Sequence, residues 1–172
     1  MKPRRGHGAV LLYLDFDGVM HPEDVWWHPN LGPYLRSPEG HALFENNHVL
    51  RELLSVFPEV LVVLSTSWVT RYGLAYTTKQ LPPELRQRVI GATFHPRMDR
   101  MAFDVLPRWL QVFQDAQKRR PYDWVAVDDA SDDWPTEQRH RLVAARTVAG
   151  LAEPAVVAEL AKRLGAMCGR PA

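Results

Sequence analysis

Ala9-Val-Leu-Leu-Tyr-Leu14 is a compact apolar run that breaks abruptly at Asp15-Phe16-Asp17-Gly18. It is too short for a free-standing helix, and its composition suits a strand buried on both faces. Residues two apart in an extended chain point the same way, so the carboxylates of Asp15 and Asp17 can face one pocket. Gly18 then permits a sharp departure of the chain at positive φ. The pattern recurs twice. Val60-Leu-Val-Val-Leu64 runs into Ser65-Thr66-Ser67, and Trp124-Val-Ala-Val127 runs into Asp128-Asp129. Leu142 to Val148 and Arg88 to Ala92 supply a fourth and a fifth strand.

Helical periodicity fills the intervals. His41 to Phe57 carries an apolar stripe stopped by Pro58, and Met101 to Lys118 carries another, with Pro107 read as lying in its first turns. Pro154 to Met167 begins on proline and turns Leu160 and Leu164 inward. The segment Met20 to Gly40, with four prolines and the pair Trp26-Trp27, reads as an irregular flap and not as a helix. Strands alternating with helices predict an α/β domain around a mostly parallel sheet. Neither a repeat nor a linker divides the chain.

The 172 residues suit one domain with an adequate core. With 46% hydrophobic and 24% charged residues the composition is that of an ordinary globular protein, which excludes intrinsic disorder. The net charge of +1 gives no global field toward nucleic acid or anionic lipid. The single cysteine, Cys168, excludes a disulfide framework and suits a reducing, cytoplasmic setting. Residues 1–8 read as a short, frayed basic leader, because the apolar run behind it is too short for an export signal. No stretch is long enough to span a membrane.

In open α/β sheets the reactive crevice lies beyond the carboxyl ends of the strands. All three main strands deliver polar groups there: Asp15 and Asp17 from the first, Ser65 from the second, Asp128 and Asp129 from the third. Four carboxylates meeting in one crevice repel one another and raise one another's pKa values unless a cation sits among them. A hard divalent ion, Mg²⁺, resolves that conflict and is the usual companion of phosphate chemistry. The Ser65 hydroxyl can donate to a phosphoryl oxygen, and a nearby cationic side chain would complement its charge.

Asp15-Phe16-Asp17-Gly18-Val19-Met20 resembles the first signature of the haloacid dehalogenase-like (HAD) superfamily. The strand ending at Ser65 resembles the second, and Val125-Ala-Val-Asp128-Asp129 the fourth. Leu64-Ser-Thr-Ser-Trp68, Leu81-Pro-Pro-Glu-Leu85 and Arg88-Val-Ile-Gly91 are also similar to a bacterial subgroup of phosphatase-like domains attached to RNA-repair systems. The resemblance implies a Rossmann-like three-layer α/β/α sandwich and a Mg²⁺-dependent phosphohydrolase working through an aspartyl-phosphate. Asp15 would be the nucleophile, Asp17 the general acid and base, and Ser65 the group orienting the phosphoryl. Asp15, the backbone carbonyl of Asp17, Asp128 and Asp129 would form the metal set. For the cationic third signature, expected near the start of the helix before the fourth strand, Arg100 is the first choice, Arg97 the second and Lys79 the third.

Fifty residues between Asp15 and Ser65 leave no room for a folded cap domain. A capless, open site suits a bulky phosphorylated substrate such as a nucleic-acid end. A non-catalytic module binding RNA ends or a protein partner is the alternative. A signalling receiver domain fits less well, because its acidic pair follows the first strand and its phosphorylated Asp the third. Trp26 and Trp27 serve either as a substrate platform or as pins for the flap, and His21 reads as structural more than as part of the pocket.

Overall fold

The computed structural model describes residues 5–146 and 148–169. In chain order the first elements are β1 (Val10–Leu14), β2 (Asp24–His28), β3 (Gly32–Ser37), α1 (Asn47–Val56) and β4 (Leu61–Leu64). Three short helices follow, α2 (Ser67–Tyr72), α3 (Leu74–Lys79) and α4 (Pro83–Arg86), and then β5 (Val89–Ala92). The remainder is α5 (Arg100–Asp104), α6 (Arg108–Arg119), β6 (Asp123–Asp128), β7 (Leu142–Ala144) and α7 (Pro154–Met167).

Five strands form one sheet in the order β5-β4-β1-β6-β7, and every pairing in it is parallel. The sheet is covered on both faces, which explains why its strands read as unbroken apolar runs. Leu12 and Leu14 of β1 pack with Leu50 and Leu54 of α1 and Leu160 and Leu164 of α7. Leu11 and Tyr13 pack on the opposite face with Val112 and Ala116 of α6. The result is a three-layer α/β/α sandwich, and the described residues contain no separate cap. None of their helices is long and apolar enough to cross a membrane.

A buried polar stitch holds α6 against β1. The Tyr13 hydroxyl donates to Asp115 Oδ2 at 3.0 Å, and the same oxygen accepts from Arg119 Nε at 2.5 Å. This anchor lies at the carboxyl end of α6 and leaves the other end of the helix beside the strand ends.

Several sequence expectations change. The stripe from His41 does not begin as helix, because Phe44 adopts φ 58° and the helix starts only after Asn46. The expected helix from Met101 to Lys118 is two helices. Pro107 is extended (ψ 146°), so the second of them opens at Arg108. The flap at 20–40 is more regular than expected, since β2 and β3 form an antiparallel hairpin with Trp26 opposite Tyr34. Residues 1–4 of the expected leader lie outside the described residues, and residues 5–8 are pinned instead of frayed. Gly8 N–H donates to the Arg120 carbonyl at 3.0 Å, and Arg119 donates to the Arg5 carbonyl at 2.8 Å.

The turn after β1 is clamped from below. Asn46 Nδ2 donates to the carbonyls of Val19 (2.8 Å) and Ala149 (2.9 Å), and Leu151 N–H also donates to Val19 O. A Cβ at Gly150 would come within 2.5 Å of that same carbonyl oxygen. The clamp generates a prediction: Asn46→Ala removes two hydrogen bonds made by one buried side chain, although Leu151 and Ala152 N–H still reach the two carbonyls, and lowers unfolding free energy by about 1–3 kcal/mol, read by urea denaturation. A change within a few tenths of a kcal/mol would show that the clamp does not hold this turn.

Candidate active site

Sheet register assembles the site. Leu14 is opposite both Leu64 and Val127, so the next residue of each strand, Asp15, Ser65 and Asp128, stands at one level. These positions share the parity of Tyr13, Val63 and Ala126, which pack on the α6 side of the sheet. Backbone bonds extend the ladder to this level, since Asp15 N–H donates to Val127 O at 3.2 Å and Ser65 N–H to Leu14 O at 2.8 Å.

One carboxylate oxygen from each of Asp15, Asp128 and Asp129 lies within 4.8 Å of the others. Asp15 and Asp128 are buried and Asp129 is half-buried. Burial pushes the carboxyl of Asp15 up, against the pull of Arg108. Burial and then the neighbouring Asp15 push Asp128 well up. Burial, Asp15 and Glu23 bring Asp129 up to about 6.

The opposing cation is Arg108. Its Nη2 is 3.7 Å from Asp15 Oδ2, and its Nε is 3.3 Å from Asp128 Oδ2. Burial alone would depress its pKa, but the surrounding carboxylates outweigh that and raise it. One guanidinium still faces three carboxylates. Ser65 Oγ and Asp128 Oδ2 are also buried without a hydrogen-bond partner. An all-oxygen donor set, excess negative charge and orphaned oxygens are what a hard divalent cation with an oxyanion ligand would satisfy. Gly18 admits the acidic pair: at φ 74° it leaves room for Asp129, whose Oδ2 would lie 2.2 Å from any Cβ added there.

The side chain of Asp17 lies outside that trio. Its Oδ1 accepts from Trp68 Nε1 at 2.8 Å and faces His21 Nε2 at 3.1 Å. His21 is fully buried, and its Nδ1 accepts from Phe44 N–H at 3.2 Å. With Nδ1 an acceptor, the ring proton sits on Nε2 and points at Asp17. Both donors thus hold one oxygen of this carboxylate and leave the other open.

The cation expected at Arg100 is not at the cluster. Arg100 is 57% exposed, and its Nε pairs with Asp104 at 3.3 Å. Arg97 and Lys79 make no ion pair with Asp15, Asp128 or Asp129, whereas Arg108 does. Arg108 opens the helix before β6, and Pro107, expected inside that helix, is the residue before its start. Trp68 is buried with Phe16 and Phe44 and also donates to Asp17. Trp26 and Trp27 remain about half exposed on the hairpin, with the Arg36 guanidinium 4.7 Å over the Trp26 ring.

Residues 11–156 match the family described as "HAD domain in Swiss Army Knife RNA repair proteins". No curated protein and no solved structure matches the chain.

The raised carboxyls carry a pH prediction for the ion-free protein. A carboxyl whose pKa rises on folding makes the native state bind more protons than the unfolded chain, so stability is lost as pH climbs through the interval between the two values. For Asp129 that interval runs from 3.8 to about 6. In EDTA, the thermal midpoint of Asp129→Asn should rise relative to wild type as pH climbs from 3.8 to about 6. Millimolar Mg²⁺ should stabilise wild type at the upper pH and do little at the lower. Parallel pH profiles for the two proteins, insensitive to Mg²⁺, would contradict the cluster's strain.

Proposed function

The chain belongs to the family of HAD domains in Swiss Army Knife RNA repair proteins, a HAD-type hydrolase fold, and from that premise we propose that it is a phosphomonoesterase with Asp15 as nucleophile. The observation that carries this reading is the convergence of Asp15, Asp128, Asp129 and Arg108 in one corner at the carboxyl ends of the parallel strands. Arg108 beside Asp15 and Asp128 supports turnover over a non-catalytic module, since it supplies a cation at the site.

An oxygen of Asp15 attacks phosphorus in line, and the bond from phosphorus to the ester oxygen breaks as the new bond forms. The departing oxygen takes a proton from Asp17. Asp17, now a carboxylate, then removes a proton from water as that water attacks the aspartyl-phosphate, releasing phosphate and restoring Asp15 and protonated Asp17. Trp68 and His21 hold Oδ1 of Asp17, so Oδ2 is the oxygen left to carry the proton. Ser65 Oγ donates to a phosphoryl oxygen, and Arg108 balances the charge that builds there. Asp15, Asp128, Asp129 and the backbone carbonyl of Asp17 would hold Mg²⁺, which supplies positive charge to the phosphoryl group when bound.

Described residues without a cap suit a large substrate, and a family described from RNA repair proteins supports our reading of the phosphorylated end of a nucleic acid as the class. The single cysteine agrees with action in a reducing, cytoplasmic compartment.

With Mg²⁺, the wild-type protein should release phosphate from phosphomonoesters, including RNA and DNA ends. Asp15→Asn should lower kcat at least about a thousandfold. Equal release by both proteins, or none by wild type across the panel, would overturn the proposal. Trp68→Phe keeps a buried ring but removes the N–H to Asp17. It should cost about tenfold in kcat with KM unchanged and alter the pH dependence of kcat. An unchanged profile would remove Trp68 from the mechanism.

A further inference from the structure

Arg71, Arg100 and Arg108 line one groove of ≈ 340 Å³, together with Thr66, Ser67 and Thr70. Its inner end is Arg108, already in contact with Asp15 and Asp128. Its outer residues, Arg71 on α2 and Arg100 on α5, are exposed. Against these three cations the groove lining holds one carboxylate, Asp104, for a formal charge of +2. Asp104 occupies only the Nε of Arg100 in an exposed pair at 3.3 Å. Such pairs are weak and screened, so the guanidinium stays available to a stronger anion.

A second cleft, of ≈ 490 Å³, shares no lining residue with the first and has the opposite sign. Glu23, Asp24, Asp129 and Asp132 line it against the single cation Arg146, for a formal charge of −3. The two clefts meet the carboxylate cluster through different residues, Arg108 in one and Asp129 in the other. A polyanion extending away from Asp15 is drawn along the first and repelled from the second. This asymmetry is invisible in a net charge of +1.

We propose that the groove of Arg71 and Arg100 seats the phosphodiester backbone of a single-stranded nucleic acid whose terminal phosphate lies at Asp15. The inference rests on the phosphatase reading above and adds to it the path of the substrate. Planar guanidiniums bind phosphate oxygens in pairs, and the Ser67 hydroxyl beside them can donate as well, whereas Thr70 already donates to the Ser67 carbonyl. Contacts of this kind read the backbone and not the bases, so the groove favours length of strand over sequence.

The test compares a terminally phosphorylated hexanucleotide with p-nitrophenyl phosphate, in Mg²⁺, for wild type, Arg71→Gln/Arg100→Gln and Arg146→Gln. The ratio of kcat/KM for the hexanucleotide to that for the small ester should fall at least about tenfold in the double variant. The double variant's dependence of log kcat/KM on log salt for the hexanucleotide should become shallower by about 0.7 for each arginine removed. Arg146→Gln should leave the ratio at its wild-type value or raise it. An unaltered ratio in the double variant, or an equal fall in Arg146→Gln, would overturn the groove. If wild type hydrolyses neither substrate, the phosphatase reading fails by itself. The groove is then judged by fluorescence anisotropy of the labelled hexanucleotide in EDTA, where loss of binding in the double variant supports it and unaltered binding overturns it.

Discussion

Three carboxylates crowded into a largely buried corner, opposed by one guanidinium, set the terms for everything else in this molecule. Asp15, Asp128 and Asp129 offer oxygens within 4.8 Å of one another, a separation at which like charges in a low-dielectric surrounding repel strongly. Nothing in folding requires such an arrangement. Replacing any of the three with a neutral residue would relieve the core, so the strain is the mark of a site maintained for a cation and an anionic ligand. Arg108 cancels part of the excess charge and holds the cluster together without saturating it.

The scaffold supports the strain by leaving the reactive groups little freedom. Parallel register sets Asp15, Ser65 and Asp128 at one level of the sheet. The turn after β1 is tied down through Asn46 and Leu151. Tyr13, Asp115 and Arg119 fasten α6 to β1, which keeps Arg108 at the strand ends. The aromatic group of Phe16, Phe44, His21 and Trp68 does the same for Asp17, with two of its members turning polar edges toward that carboxylate. Positions of this kind are costly to build and are what in-line displacement demands, because small misplacements are expensive in rate.

Most of the site's framework is legible in the sequence because doubly covered parallel strands print as short apolar runs, and a polar residue immediately after such a run marks the open edge of the sheet. Asp15, Ser65 and Asp128 can be read off in that way, as can β1, β4 and β6, whereas the edge strands β5 and β7 print more weakly and β7 stops at Ala144, short of the expected Val148. Arg108 could not, since the periodicity of residues 101–118 continues across Pro107 and conceals the break that Pro107 makes. Trp68 sits in an apolar pattern, and an indole reads as packing until its N–H is seen to meet Asp17. The hairpin at 24–37 was hidden by its own prolines and by strands that are mostly exposed, so neither alternation nor burial left a signal. The two oppositely charged clefts are three-dimensional sums over residues far apart in the chain, beyond the reach of any linear reading.

The central claim is that Asp15, Asp128 and Asp129 share one divalent ion beside Arg108. Crystals grown with Mn²⁺ in place of Mg²⁺ and measured at the manganese absorption edge test it without any assumption about substrate. The account predicts one anomalous peak within coordination distance of Asp15 and Asp128, and its disappearance in Asp128→Asn. A peak lodged elsewhere, or well-ordered carboxylates with no peak among them, would contradict it.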